Sequence, residues 1–337
     1  MERKHLTSLE QVEDLVKSNI FFEIMGSKVL VELVAWFAKA WGSPQRCIYV
    51  ICESNRSAEI WRNSLLRTNM KWMGHDGASQ APSVPIFFPG FAFSDFRQSQ
   101  ISEDIWDARS VACCFLATNR AKIVTTTIEA MSQRTLGKAE WSKRTVRIEK
   151  GKEYSQDLLE GLLNELGFAQ VSEIERIGDV SFNGGLVDLF TPENGPVRLV
   201  YFGDHVAEIF QIERGSLRNS DTLDSIVLSP PREVVFPNGC WSEQLQRLHD
   251  TLLNLDLTTA QRNLIFDNVS HRRRNQGCEY WNQLLNEHIG AAWDWVKDDD
   301  YLIFPDGLVR CRVAFEDRVS KVARGEYFRW RFSYESI

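Results

Sequence analysis

The pattern of hydrophobic and polar positions predicts alternating strands and helices over the first part of the chain, residues 1–147. Three apolar runs are typical of strands buried on both faces: RCIYVIC (46–52), SVPIFF (83–88) and AKIVTTT (121–127). Between them, SNRSAEIWRNSLLRT and SEDIWDARSVACCFLA are predicted to be helices. This order favours an α/β fold with a doubly wound, mainly parallel sheet and right-handed crossovers.

The pattern changes after Lys150. SQDLLEGLLNELGF (155–168) has leucines at helical spacing, and Gly167 is placed to end that helix. Short strand patterns then follow at hairpin spacing: EIERIGDVSF, GGLVDLFT, PVRLVYFG, HVAEIFQIE and SIVLSPP. We therefore expect an inserted α+β antiparallel domain over residues 148–232.

The last stretch, residues 233–337, returns to predicted helices. These are SEQLQRLHDTLLNL (242–255) and EYWNQLLNEHIGAAWDWV (279–296), followed by the predicted strand DYLIFP (300–305). The expectation is that residues 233–337 complete the α/β scaffold begun by residues 1–147.

Composition narrows the classes of function. The 337 residues carry a net charge of -7, which argues against non-specific coating of nucleic acid and predicts weak or no direct DNA binding. No apolar run has the length of a membrane span and no signal sequence opens the chain, so we expect a cytoplasmic protein without membrane contact. The seven cysteines form no C-x-x-C pair, and no metal site is predicted.

One turn resembles part of a phosphate-binding loop. In EIMGSKVL (23–30), Gly26, Ser27 and Lys28 approach the pattern G-x-x-x-x-G-K-[ST]. Phe21 stands at the position of the first glycine and Val29 at that of the magnesium-binding hydroxyl. We therefore expect a degenerate loop that binds no ATP and no other cofactor. The scattered histidines lack a nucleophile or carboxylate at motif spacing, so no catalytic residue and no enzymatic activity are predicted for this chain.

The segment 177–219 carries the strongest interaction signal. Strand alternation places Arg198, Val200 and Phe202 on one face and Leu199 and Tyr201 on the other. Arginine and aromatic side chains are enriched at interface hot spots, which makes this face a candidate binding surface. In the alternative interpretation, Phe202 belongs to the core and Arg198 pairs locally with Asp188 or Asp204.

The same segment resembles the domain shared by the excision-repair protein UvrB and the N-terminal part of transcription-repair coupling factors. The positions that match the family pattern are Gly178, Asp179, Gly184, Asp188, Leu189, Phe190, Arg198, Phe202, Asp204 and Val206. FFPGFAFSDF, KIVTTTIEAMSQR and GCEYWNQLL agree with the family in order. The chain is thus similar to the UvrB-homology module of the coupling-factor family.

The resemblance implies a non-catalytic module that recruits the damage-recognition ATPase UvrA. Arg198 and Phe202 would be the anchors and Arg218 would lie at the rim, while Asn183 replaces an arginine of the family. The resemblance also implies a decayed phosphate loop and the loss of the hairpin with which UvrB clamps DNA. Contact with RNA polymerase, and an ATP-driven translocase, are expected only of further domains of the full-length family protein.

Two other functions stay open at this point. The first is a nucleotide-dependent enzyme of the helicase superfamily that uses MGSK as an atypical phosphate loop, which the lack of a downstream D-E-x-[DH] pair disfavours. The second is an interaction protein that has lost UvrA binding, and Asn183 keeps that possibility open. The chain is either an N-terminal fragment of a coupling factor or a free-standing relative.

Overall fold

A computed structural model describes residues 46–73, 84–91, 102–233, 235, 241–255, 257–271 and 289–323. The predicted phosphate-loop remnant Gly26, Ser27 and Lys28 lies outside these residues, as does most of the predicted helix that begins at Glu279. Within the part of the chain that the structure describes, no helix has the length and apolarity needed to cross a bilayer.

The described elements are numbered here in chain order. The strands are β1 Ile48–Cys52, β2 Ile86–Phe88, β3 Ile123–Thr127, β4 Arg134–Leu136, β5 Val146–Glu149, β6 Ala169–Gln170, β7 Asp179–Asn183, β8 Leu186–Thr191, β9 Gly195–Phe202, β10 His205–Ile212, β11 Asn219–Thr222, β12 Ser225–Leu228, β13 Ile289–Ala291 and β14 Tyr301–Ile303. The helices are α1 Asn55–Met73, α2 Glu103–Ala117, α3 Ile128–Ser132, α4 Lys138–Lys143, α5 Gln156–Leu166, α6 Trp241–Leu253, α7 Thr259–Ser270 and α8 Leu308–Ala323, with a 3-10 turn at Ala292–Trp295.

The scaffold is built on a parallel sheet of four described strands in the order β14-β1-β3-β2. All residues of β1 and β3 are buried, which explains why both segments are continuous apolar or threonine-rich runs. The predicted α/β class is confirmed, because this sheet is flanked by helices and a separate antiparallel sheet is inserted. Strands β3 and β2 lie on one side of β1, and β14 lies on the other side. The direction in which strands are added to the sheet therefore reverses between β1 and β14.

The inserted sheet has the order β11-β10-β9-β8-β7-β6 and is antiparallel except between β6 and β7. Helix α5 packs against one face through Leu159, Leu163 and Leu166. Ser155 caps its first turn and Gly167 ends it at φ +88°. Strands β5 and β12 pair antiparallel, so the chain enters and leaves the inserted domain side by side.

Ion pairs that range from buried to exposed join the inserted domain to the scaffold. Arg109 in α2 donates from Nε and Nη2 to the Glu233 carboxylate at 2.7 and 2.8 Å, and its guanidinium lies over the rings of Phe88 and Phe91. Glu233 follows the exit strand β12, so this pair fixes that exit against α2. Arg120 pairs with Glu193 in the β8–β9 turn, and Arg176 pairs with Glu103 at the start of α2.

Two predicted elements are corrected. Over its described part, the helix predicted for 279–296 is wrong, because Ile289–Ala291 is a strand paired with β4 and a 3-10 turn follows. Gly290 disfavours a helix there, and pairing with β4 satisfies its backbone instead. The strand predicted from Glu173 begins only at Asp179, because the Asp179 carboxylate accepts bonds from the backbone N–H groups of Glu175 and Arg176 and holds a turn.

Candidate partner-binding surface

The inserted sheet has two different faces. Its inner face packs on α5 and is apolar, whereas its outer face points away from α5. In β9 the alternation of burial is regular: Leu199 is buried, Arg198 and Val200 are half-buried, and Phe202 is 83% exposed. The outer face therefore carries Arg198, Val200 and Phe202, as the sequence pattern predicts.

The register of the strands brings further side chains beside them. Arg198 lies opposite Asp188 in β8 and Phe210 in β10. Val200 lies opposite Leu186 and Glu208. Directly opposite residues of an antiparallel pair share one face, with Cβ atoms about 5 Å apart. The outer face is thus a set of cross-strand rows ending at Phe202.

Arg198 is held by its neighbours on this face. Its Nε and Nη2 donate to the two carboxylate oxygens of Asp188, each at 2.7 Å, and its Nη1 donates to Asn219 Oδ1 at 3.2 Å. The bond to Asp188 raises the pKa of Arg198, and burial opposes that effect. The local-pairing alternative is therefore right about Arg198, whose charge is balanced within the sheet.

The alternative that Phe202 belongs to the core is wrong, because its side chain is exposed. It is the last residue of β9, and its neighbour Tyr201 is only 8% exposed. Gly203 follows at φ +59° and turns the chain into β10. Burying an exposed phenyl ring is worth about 1.5–3 kcal/mol, so Phe202 offers binding energy that folding leaves unused.

Asn183 and Arg218 lie at the margins of the outer face. Asn183 ends β7, and its Nδ2 donates to Ser181 Oγ at 3.1 Å. Arg218 is exposed in the turn between β10 and β11, and its backbone carbonyl accepts a bond from Glu213. The adjacent residue, Asn219, is the one that contacts Arg198.

Leu186 is an outer-face residue that the sequence analysis missed. It is 37% exposed and lies between Asn183 and Val200 in the register. The sequence contained a signal for its position, the glycine pair Gly184-Gly185, which is typical of a two-residue hairpin turn. In the structure these residues form that turn, with Gly184 at φ +62°. The residues that flank such a turn face each other, which places Leu186 opposite Asn183.

The carboxyl end of the parallel sheet is a second place where a ligand is expected. Open α/β sheets bind ligands outside the carboxyl ends of their strands, at the point where the strand order reverses. Here a group of side chains that we call the carboxyl-end cluster fills this position: Glu53, Glu129, Asp306, Arg310 and Arg318. Arg310 Nε lies 2.7 Å from Glu53, and Arg318 Nε lies 2.8 Å from Glu129. Asp306 accepts a bond from the backbone N–H of Glu53 at 3.3 Å.

Other chemistry is sparse in the described residues. They contain no group of three or more histidine, cysteine and acidic side chains placed to hold a metal ion. The described cysteines are buried. Burial raises the pKa of the Cys114 and Cys311 thiols to about 11, which leaves both neutral at pH 7. A buried neutral thiol is a poor nucleophile.

Comparison with known proteins shows what the inserted domain and the chain are similar to. Residues 146–233 match the UvrB interaction domain. The chain is also similar to curated transcription-repair-coupling factors. That of Myxococcus xanthus is 31% identical over 110 residues, covering 32% of this chain and 9% of the relative. That of Bacillus subtilis (strain 168) is 25% identical over 203 residues, covering 57% of this chain and 17% of the relative.

A third such relative, from Rickettsia bellii, is 21% identical over 237 residues, which is 70% of this chain and 21% of the relative. The alignments therefore span about a fifth or less of these curated relatives. Residues 146–233 thus resemble a UvrB interaction domain, and the chain is similar at low identity to part of these coupling factors. The outer face of the inserted sheet lies within the matched residues.

Proposed function

We propose that this chain is a non-catalytic module that binds UvrA through the outer face of its inserted sheet and so takes part in transcription-coupled repair. The observation that carries the proposal is Phe202, which is 83% exposed on a domain of the UvrB interaction family. The similarity to transcription-repair-coupling factors supports the repair context.

Arg198 retains donors for a partner although it pairs with Asp188. A guanidinium has more N–H groups than the bonds of Arg198 within the sheet use. Three bonds from Arg198 are directed to Asp188 and Asn219. In this proposal, the remaining N–H groups on Nη1 and Nη2 donate to a carboxylate of UvrA. Asp188 and Asn219 would orient the guanidinium, and Arg218 would contribute at the rim.

The proposal includes no ATP-dependent step and no strong DNA binding by this chain. Phe21 and Val29 oppose a working phosphate loop. The carboxyl-end cluster supports the same view, because Glu53 and Glu129 are paired with arginines of α8. The net charge of -7 favours weak DNA contact. RNA polymerase would be contacted only by further domains of a full-length relative.

A second candidate function is favoured by two observations. Asn183 carries no charge where the family has arginine, and the Arg198 charge is already balanced by Asp188. Both would suit an interaction protein that kept the fold and no longer binds UvrA. A single binding experiment distinguishes the two candidates.

The experiment is titration calorimetry of the chain with UvrA from the same organism. Wild type should bind, and Phe202→Ala should bind at least about ten-fold more weakly, because truncating a hot-spot aromatic costs about 2 kcal/mol or more. Leu158→Ala is the matched control, since Leu158 is 65% exposed on α5, in the helix layer on the other side of the sheet. A folded wild type that gives no saturable heat would contradict UvrA binding and support the second candidate.

A further inference from the structure

Three apolar side chains form a continuous strip on the outer face. We call Leu186, Val200 and Phe202 the apolar strip. Leu186 lies directly opposite Val200, and Phe202 lies two residues further along the same strand. Diagonal neighbours of this kind are about 7–8 Å apart, which is within reach of an aromatic ring. Leu186 and Phe202 thus flank the half-buried Val200 at the end of β9.

The charged groups in the strand rows at Arg198 and Val200 are held in ion pairs. Arg198 pairs with Asp188 on one side of the Leu186–Val200 row. Glu208, which lies opposite Val200, pairs with Lys150 at 2.5 Å. Asn183, at the end of the same row, is uncharged. The strip is therefore bordered by these balanced charges, by the amide of Asn183 and by the exposed imidazole of His205, which lies opposite Phe202.

The exposed Arg218 lies away from the strip. It is in the turn that follows β10, whereas Glu208 and the strip lie toward the beginning of that strand. Because ion pairs that are already formed offer little net charge to a partner, long-range attraction at the strip is small. The exposed side chains of Leu186 and Phe202 are apolar, and their burial favours association at any ionic strength.

We infer that the apolar strip determines specificity for the partner by entering an apolar cleft on UvrA, with Leu186 as a binding residue beside Phe202 and with charge contributing little. This inference rests on the proposed function. It departs from the expectation that Arg198 is a principal anchor. It also explains why an uncharged residue, Asn183, can replace the family's arginine, because an uncharged side chain suits the border of an apolar contact.

Two properties of the complex follow. Binding should be nearly independent of salt, because screening acts on charges and not on buried apolar area. Binding should also depend on Leu186. Leu186→Thr keeps a residue that favours strands while removing apolar surface, and Val200→Thr replaces one methyl group by a hydroxyl with little change of shape.

The experiment measures the dissociation constant for UvrA at about 0.1 M and about 1 M NaCl, over which the Debye length falls from about 10 Å to about 3 Å. We expect wild type to change by less than about three-fold, whereas contacts made by charges would weaken by more than about ten-fold. At either salt, Leu186→Thr should bind about ten-fold more weakly than wild type, and Val200→Thr should be weakened in the same direction. The control Leu158→Ala should match wild type.

The outcomes separate the inference from the proposed function. If wild type binds UvrA, but binding is lost with salt and Leu186→Thr binds like wild type, the inference is wrong and UvrA binding stands. If folded wild type binds at neither salt, the proposed function fails and the inference fails with it. Circular dichroism of each variant verifies the fold, and Val200→Thr provides the test should Leu186→Thr unfold.

Discussion

Two surfaces of this molecule occupy positions where a ligand might bind, and they are built in opposite ways. At the carboxyl end of the parallel sheet, Glu53 and Glu129 are paired with Arg310 and Arg318. On the outer face of the inserted sheet, ion pairs are also formed, but Phe202 beside them is 83% exposed. At the first surface acidic side chains are engaged in ion pairs with arginines, whereas the second exposes apolar area.

The difference teaches where binding energy is available. Groups paired inside one chain have part of their bonding capacity already used, and breaking such a pair leaves a buried charge without a partner, which is unfavourable. An exposed aromatic ring has no such cost and gains from leaving water. The comparison therefore favours structural roles for the paired charges of the scaffold and supports the binding role proposed for the apolar strip.

The largest loss of stability should come from breaking the buried Arg109–Glu233 ion pair, which lies next to the carboxyl end of β2. Glu233→Ala leaves Arg109 uncompensated in the core, and we expect the free energy of unfolding to fall by about 3–5 kcal/mol. Urea denaturation measures this loss. The double variant Arg109→Met with Glu233→Leu should recover most of it, since apolar residues of similar volume replace such pairs well. An unchanged midpoint for Glu233→Ala would show that the pair has no structural role.

A smaller effect is expected for the pair on the outer face. Arg198→Met leaves the Asp188 carboxylate, which is 6% exposed, without its partner and should destabilise the fold by about 1–3 kcal/mol. Arg218→Met is the matched control, and its stability should change by less than about 0.5 kcal/mol because Arg218 is exposed. Adding Asp188→Leu to Arg198→Met should restore stability. Equal stabilities of Arg198→Met and wild type would place Arg198 among the unpaired surface residues.

The pH dependence of stability should reflect the packed scaffold. Burial raises the pKa of Cys114 from 9.0 to about 11, so the folded state retains this proton more strongly than the unfolded state. The associated stability is present below pH 9 and is lost as pH rises toward 11. Thermal melts between these values should show a falling midpoint, and Cys114→Ala should remove part of the fall, because burial raises the pKa of Cys311 to about 11 as well. A midpoint that stays constant over this interval would contradict the buried, neutral thiol.

The smallest expected effect is a null result at the carboxyl end of the parallel sheet. Titration of the chain with Mg-ATP should give no saturable heat, because Arg310 and Arg318 already bind the acidic groups there and the upstream turn lacks a complete phosphate-loop pattern. A dissociation constant below about 1 mM would contradict this expectation for the carboxyl-end cluster and would favour the alternative function, a nucleotide-dependent enzyme.

Local pattern predicted a large share of this fold, because several elements are specified by their own residues. The β-branched run of β1 and the glycine that ends α5 are examples, and the alternation in β9 placed Arg198 and Phe202 on one face. Elements that depend on a distant partner were not predictable in this way. Strand β13 exists because β4 pairs with it.

The site was predicted in part for the same reason. Arg198 and Phe202 were found from alternation, but the choice of Asp188 over Asp204 as the partner of Arg198 depends on the β8–β9 register. The Arg109–Glu233 pair joins residues 124 positions apart, and no local pattern connects them. Whether UvrA binds these residues stays a prediction.

Hydroxyl-radical footprinting with and without UvrA tests the central claim most directly, because it reports the solvent exposure of individual side chains. In the free chain Phe202 should be oxidised readily, as its 83% exposure requires. Saturating UvrA should protect Phe202 and Leu186 several-fold and leave Leu158 unchanged. A complex in which Phe202 is oxidised as fast as in the free chain would contradict the claim that the outer face of the inserted sheet is the binding surface.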